Sequence, residues 1–224
     1  MLMDYQDWTA RLIEFVNGLP EKVTGEIEAN AKATPPLTEP DLLALEHDLG
    51  ASLPRSVREF FLNGARSVSA NYSWTPGGET SDELSEAGLD ACIRGGGEFL
   101  CSDQLVVLKA EAKAWAVETD LPEDSQEYSR LVNCLPFHDI GDGDFLAVDL
   151  AHEVDDPRVL FLCHEDESWV LSPSFSAFLK EWAACSYVSP RDWDLFGDEP
   201  FFDKETRQLS GQTEAAALLR QLLA

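Results

Sequence analysis

Apolar residues recur along this chain with two periods, and the places where the period changes mark its elements. Near the N-terminus Tyr5, Trp8, Leu12 and Phe15 stand at i, i+3, i+7 and i+10, which is one helical stripe. Asp4 and Asp7 lie at the end of that helix that favours anions, and Asn17-Gly18 predicts its stop. Residues 18–36 are mixed and close on Pro35-Pro36, so they read as a short second helix or a linker. Thr38 then opens a clearer helix. Its hydroxyl suits an N-cap, Asp41 approximates the acidic third position of a capping box, Leu42, Leu45 and Leu49 form the stripe, and Gly50 closes it. Leu53-Pro54 starts the next helix, with Pro54 near its first position, Val57, Phe60 and Phe61 as its apolar face, and Asn63-Gly64 as its end.

The period falls to two over Val68–Trp74, a strand that Pro76-Gly77-Gly78 terminates. Residues 79–104 hold seven acids and one base around Gly95-Gly96-Gly97 and read as a loop with a short helix near 83–93. Leu105–Glu118 is helical, with Leu108, Ala112 and Trp115 at i, i+4, i+7; residues 119–130 form an acidic loop. Residues 131–137 lead into the centre of the chain. There Phe145–Leu150 and Val159–Cys163 are short Val/Leu/Phe-rich runs, apolar on both faces, as in strands covered on two sides. The link between them holds Asp155-Asp156-Pro157 and is too short for a crossover helix, so the pair is expected antiparallel. Gly141-Asp142-Gly143-Asp144 permits a tight turn into the first run. Residues 168–171 make a further strand. Ser172 as cap and Pro173 at the first position then open a helix with Phe175, Phe178, Leu179 and Trp182 on one face. A weaker helix is expected from Thr213 through Leu223.

The 224 residues, 44% of them hydrophobic, suffice for one large domain with added segments. No apolar run approaches the ~20 residues of a membrane span, and MLMDYQDW has neither the basic nor the apolar part of a signal peptide. Five irregularly spaced cysteines without a CxxC read as reduced thiols in a cytoplasm. The formal charge of −26 is uneven: residues 76–184 carry 24 acids against 6 bases. A field of that sign repels nucleic acid and anionic membrane and attracts basic partners, although it also serves solubility.

Three motifs in order resemble the SUKH superfamily, which includes bacterial toxin-immunity proteins and fungal regulators of cell-wall synthesis. The first is Leu42-x-x-Leu45-Glu46-x-x-Leu49-Gly50-x-x-Leu53-Pro54 with Phe60-Phe61-Leu62 and Asn63-Gly64. The second is Leu135-Pro136-Phe137 with Gly141-Asp142-Gly143-Asp144-Phe145-Leu146-Ala147-x-Asp149, and the third is Ser172-Pro173-Ser174-Phe175-x-x-Phe178-Leu179. The resemblance implies an α+β fold, a mostly antiparallel β-sheet flanked by helices. It also implies a protein-binding module without catalysis or cofactor, in bacterial relatives one that neutralises a toxin. On this basis residues 1–36 form a helical N-terminal extension, 37–185 the SUKH-like domain, and 186–224 a C-terminal extension packed on it, as monomer or homodimer.

The expected partner is a basic protein toxin, a nuclease being the natural case. The expected contact residues are the acids Glu79, Asp82, Glu83, Asp142, Asp144, Asp155, Asp156, Glu165, Asp166 and Glu167, with Trp74 as aromatic anchor, or Trp193 with Phe196. Glu86, Asp120, Glu123, Asp124 and Glu127 belong to the same acidic stretches. A regulatory scaffold of the same fold is the alternative. A metal-dependent enzyme is a further one, built on His138, Asp139, Asp142, Asp144 and Asp149, but the calcium-loop register fails: counting from Asp142, position 6 is Ala147 where glycine is required. A Gly-Asp turn with locally bonded carboxylates accounts for that cluster more simply. His47, His138, His152, His164 and Cys163 could serve acid–base or nucleophilic chemistry, yet no HExxH or GxSxG accompanies them. Gly95–Gly97 lacks the lysine of a phosphate loop and reads as a hinge.

Overall fold

The computed structural model describes residues 3–119, 121–141, 143–164, 167–193 and 200–224. Its elements are α1 Tyr5–Lys22, β1 Glu26–Ala33, α2 Glu39–Leu49, α3 Arg55–Glu59 running into a π-helical turn Phe60–Gly64, β2 Val68–Thr75, α4 Glu79–Glu86 and β3 Ile93–Phe99. They continue with α5 Leu105–Glu118, α6 Gln126–Val132, β4 Cys134–Gly141, β5 Asp144–Asp149, β6 Val159–Leu162, β7 Trp169–Ser172, α7 Phe175–Ala184, a 3-10 turn Pro190–Asp192 and α8 Glu214–Leu222. The fold is α+β, as expected, and the strands divide into two antiparallel sheets, β1-β2-β3 and β4-β5-β6-β7.

The capped helices form for the reasons their sequences state. Thr38 and Asp41 exchange the reciprocal bonds of a capping box on α2, and Gly50 ends the helix in the left-handed conformation. The buried Glu46 of the same helix accepts the Leu53 amide at 2.7 Å and pairs with Arg58, so the chain reversal into α3 is tied down. β5 is covered on both sides: Leu146 and Val148 enter the main core, while Phe145 and Ala147 enter a second cluster under α5 and α6. Its pairings with β4 and β6 are both antiparallel.

Several expectations are corrected. α1 does not stop at Asn17. It continues through Pro20 to Lys22, and the Asn17 amide instead accepts from Ala31 N–H at 2.8 Å and donates to Ala31 O at 2.9 Å. That contact stands where a fourth strand would, on the outer edge of β1. Residues 26–33, expected as helix or linker, are this strand, in continuous register with β2. α6 occupies the second half of the expected 119–130 loop, and the cap of α7 is Ser174 rather than Ser172, which ends β7.

The largest correction concerns Gly95–Gly97. These residues are the middle of β3, packed on both faces, and no hinge. A Cβ on Gly95 would lie 1.8 Å from Tyr72 Cε1, and one on Gly97 would lie 2.3 Å from His138 Cε1. Missing side chains let the Tyr72 ring lie across β3 from one sheet and the His138 ring approach it from the other. The outer edge of β3 is completed by the segment after α7: Gly96 N–H donates to Tyr187 O at 2.7 Å and Ser189 N–H to Arg94 O at 2.9 Å. Tyr72 Oη closes the arrangement by donating to Ser186 O at 2.8 Å.

Gly95→Ala should therefore destabilise the fold by about 1–3 kcal/mol, because the displaced ring belongs to a packed core. Gly77→Ala, where a Cβ meets open space, should be neutral. Urea midpoints of the two variants check this; equal midpoints would contradict the packed-strand account.

Candidate functional site

α4 carries the densest unneutralised acid in the described structure. Glu79, Asp82, Glu83 and Glu86 fall at i, i+3, i+4 and i+7, so they share one face, and all four are exposed. Leu84, on the opposite side, is fully buried and fixes which face looks outward. Glu79 and Asp82 also sit in the first turn, where the helix dipole favours negative charge. The sequence reading starts a short helix only near residue 83 and leaves Glu79 and Asp82 in a loop; the helix runs from Glu79 to Glu86 and makes all four a stripe.

The C-terminal end of α4 borders a cleft of about 870 Å³ whose far wall is the C-terminal segment. Glu86 lines it from α4, and Asp203, Glu205 and Glu214 line it from the other side, with Lys204 the one base among the lining residues. Asp203 accepts hydrogen bonds from the Thr206 hydroxyl and amide, both at 2.8 Å, and these hold its carboxyl below its ordinary pKa. It is thus fixed in orientation and charged. The wall stands firm because Leu209 N–H donates to Leu171 O on β7 at 3.0 Å and Gly211 N–H to Glu181 on α7 at 2.7 Å. Asp203, Glu205 and Glu214 were not singled out from the sequence. The signal that could have found them is that acids beside a Thr-capped amphipathic helix must lie on its solvent side.

The other expected contact residues are dispersed. Asp144 is mostly buried and accepts both the backbone N–H and the ring Nδ1–H of His164 at 2.8 Å. Asp156 accepts the Ser176 amide at 3.0 Å and its hydroxyl, which docks the β5–β6 connection on the first turn of α7. Asp155 is exposed, 3.9 Å from Arg55, and Glu167 is exposed, 4.0 Å from Arg130. Glu127 is half-buried between Arg130 and Ser168, and Glu123 and Asp124 are exposed before α6. Asp120, Asp142, Glu165, Asp166 and Phe196 lie outside the described residues.

Neither described aromatic can anchor a partner at the surface. Trp74 is 2% exposed, its indole N–H donates to Thr24 O at 2.9 Å, and it faces Ile27 and Ile93 across the sheet. Trp193 is wholly buried and meets Phe202 edge-on at 5.7 Å.

The described residues of the metal reading each have another duty. Asp139 accepts the Gly141 amide at 2.9 Å, Asp149 accepts the Ala151 amide at 2.8 Å and pairs with Arg158, and Asp144 holds His164. Among the described residues no group of three or more His, Cys, Asp or Glu is arranged to hold a metal ion. His138 is buried, and because the Glu98 carbonyl can only accept, its Nδ1 carries the proton of that bond. His47 and His152 are exposed, and Cys163 is half-buried.

Residues 36–181 match the profile of the SMI1 / KNR4 family (SUKH-1). The chain belongs to that family. The match spans α2 through most of α7 and so covers all three sequence motifs. A comparison with curated proteins gives no match. SUKH membership supports a binding module in general, with a protein as its partner. Among the described residues no helix is long and apolar enough to cross a membrane. The SUKH match contains α4, whereas the far wall of the acidic cleft, residues 200–215, lies beyond it.

Burial holds the His138 pKa below its ordinary value, against the opposing effect of its bond to Glu98. The folded ring stays neutral while the unfolded one takes up a proton near pH 6.5. Stability from this group is therefore complete above about pH 6.5 and declines as the pH falls below it. His138→Asn, which keeps a donor for Glu98 O, should flatten that acid limb of unfolding free energy against pH; an unchanged limb would contradict the assignment.

Proposed function

We propose that this SUKH protein is a bacterial immunity protein that binds a cognate toxin and neutralises it by covering a basic functional surface. The observation that carries the reading is the meeting of acids from two distant parts of the chain: the α4 stripe, ending in Glu86, stands beside the cleft that Asp203, Glu205 and Glu214 line. No base interrupts α4. An electronegative concavity of this kind focuses the field of a −26 chain and speeds capture of a basic surface such as the groove of a nuclease. Asp155 and Glu167 extend the acidity elsewhere on the surface, where they add to long-range attraction. Asp144 and Asp156 serve the fold first, and Trp74 leaves the proposed contact set because it is interior. The reading places the protein in the cytoplasm, where an incoming toxin would meet it. It needs no cofactor and no chemistry, since occlusion alone disarms the toxin.

The test is co-expression with the product of the neighbouring gene, scored by cell survival, together with binding kinetics. The chain should protect. The variant Glu79→Gln/Asp82→Asn/Glu83→Gln/Glu86→Gln should associate about tenfold more slowly at low salt, and the difference should shrink as salt is raised. Undiminished killing would contradict immunity; full-rate, salt-independent capture by the variant would contradict the acidic face.

A further inference from the structure

α5 departs from the rest of the surface. It is apolar on its inner side, where Leu105, Leu108, Ala112 and Ala116 are buried, and nearly as apolar on its outer side. Val107 and Val117 are 56% and 63% exposed, and Ala110 and Ala114 between them are exposed as well. These four residues stand at a, d, a and d of two successive heptads. Helices that are apolar all round are normally covered on all sides. Among the described residues nothing covers the outer side of α5.

The charges that flank the stripe identify what would cover it. In the same heptad register Lys113 is a g position, Glu111 and Glu118 are e positions, and Val106 is the other g. With Lys109, whose ammonium donates to Leu49 O at 2.9 Å, the helix is electrically neutral in a chain of −26. A neutral stripe has no charge with which to draw the basic partner proposed above. It is, however, complementary to itself. When two such helices lie parallel, g of one meets the following e of the other, so Lys113 stands opposite Glu118 of the second copy, twice by symmetry. When they lie antiparallel, e meets e, and Glu111 would face Glu118.

From this we infer that the outer face of α5 is a homodimer interface. Two copies associate about a two-fold axis with their α5 helices parallel, Val107, Ala110, Ala114 and Val117 in the seam and Lys113–Glu118 pairs on both flanks. The small alanines at the middle let the backbones approach closely. A helix of 14 residues is about 21 Å long, and one such pair lies at the low end of specific interfaces, so the dimer forms reversibly with concentration. The seam uses none of the residues that line the acidic cleft, so this inference does not depend on the toxin reading.

Sedimentation velocity of the full chain, from roughly 1 μM to 1 mM at about physiological ionic strength, reads the result directly. The mass should rise from monomer toward dimer. Glu118→Lys should raise the dissociation constant about tenfold, because two pairs are lost and two like-charge contacts appear. Lys113→Glu/Glu118→Lys should restore it. Ala114→Arg should abolish association, and its exposed position leaves the fold intact, as circular dichroism would verify. A monomer at every concentration overturns the inference and leaves the face to a different protein. A dimer that Glu118→Lys leaves unchanged or tightens, that the double variant fails to restore, or that survives Ala114→Arg also overturns it.

Discussion

Phe99, the last residue of β3, is the point on which the two sheets are joined. Its ring lies 4.9 Å from Trp182 of α7, 5.1 Å from Phe137 of β4, 6.1 Å from both Trp8 of α1 and Phe178, and 6.5 Å from Phe60 of the π-helical turn. Elements from both sheets and from three helical segments thus share one aromatic cluster, and each ring pair adds ~0.5–1.5 kcal/mol beyond area burial. The cluster can close only because the strand that delivers Phe99 is thin. Tyr72 and His138 occupy the space that side chains on Gly95 and Gly97 would need. The glycines are therefore part of the core's geometry.

The elements legible in the sequence are those whose signal is local. α2 declares itself through its capping box and Gly50, α5 through its apolar spacing, and the β5–β6 pair through two short apolar runs joined by a link too short for a helix. The missed elements are defined by what they touch. β1, EIEANAKA, buries only Ala31, and its strand state comes from β2 on one side and Asn17 on the other. β3 has a poor strand composition because its partners, and not its propensity, select it. Burial of Trp74 was readable in principle, since Val68, Ala70, Tyr72 and Trp74 alternate on one face of β2.

The candidate site shows the same division. The sequence reveals an excess of acid but not which acids are spent. Glu46, Asp149 and Asp156 lie in or beside the family motifs, and the structure uses them to hold a chain reversal, a turn and a helix N-terminus. The acids of the proposed contact surface lie on α4 and on the C-terminal segment, about 120 residues apart, and only the packing of residues 200–215 beside α4 brings Glu86 to one cleft with Asp203, Glu205 and Glu214. In the proposed reading a common SUKH frame carries a recognition surface built in part from residues outside the family match.

Hydrogen–deuterium exchange of the protein alone and bound to the proposed toxin partner would test the central claim most directly. The account predicts that added protection concentrates in residues 79–88 and 200–215, the two walls of the acidic cleft. Protection confined to other surfaces, with both walls exchanging as in the free protein, would contradict it.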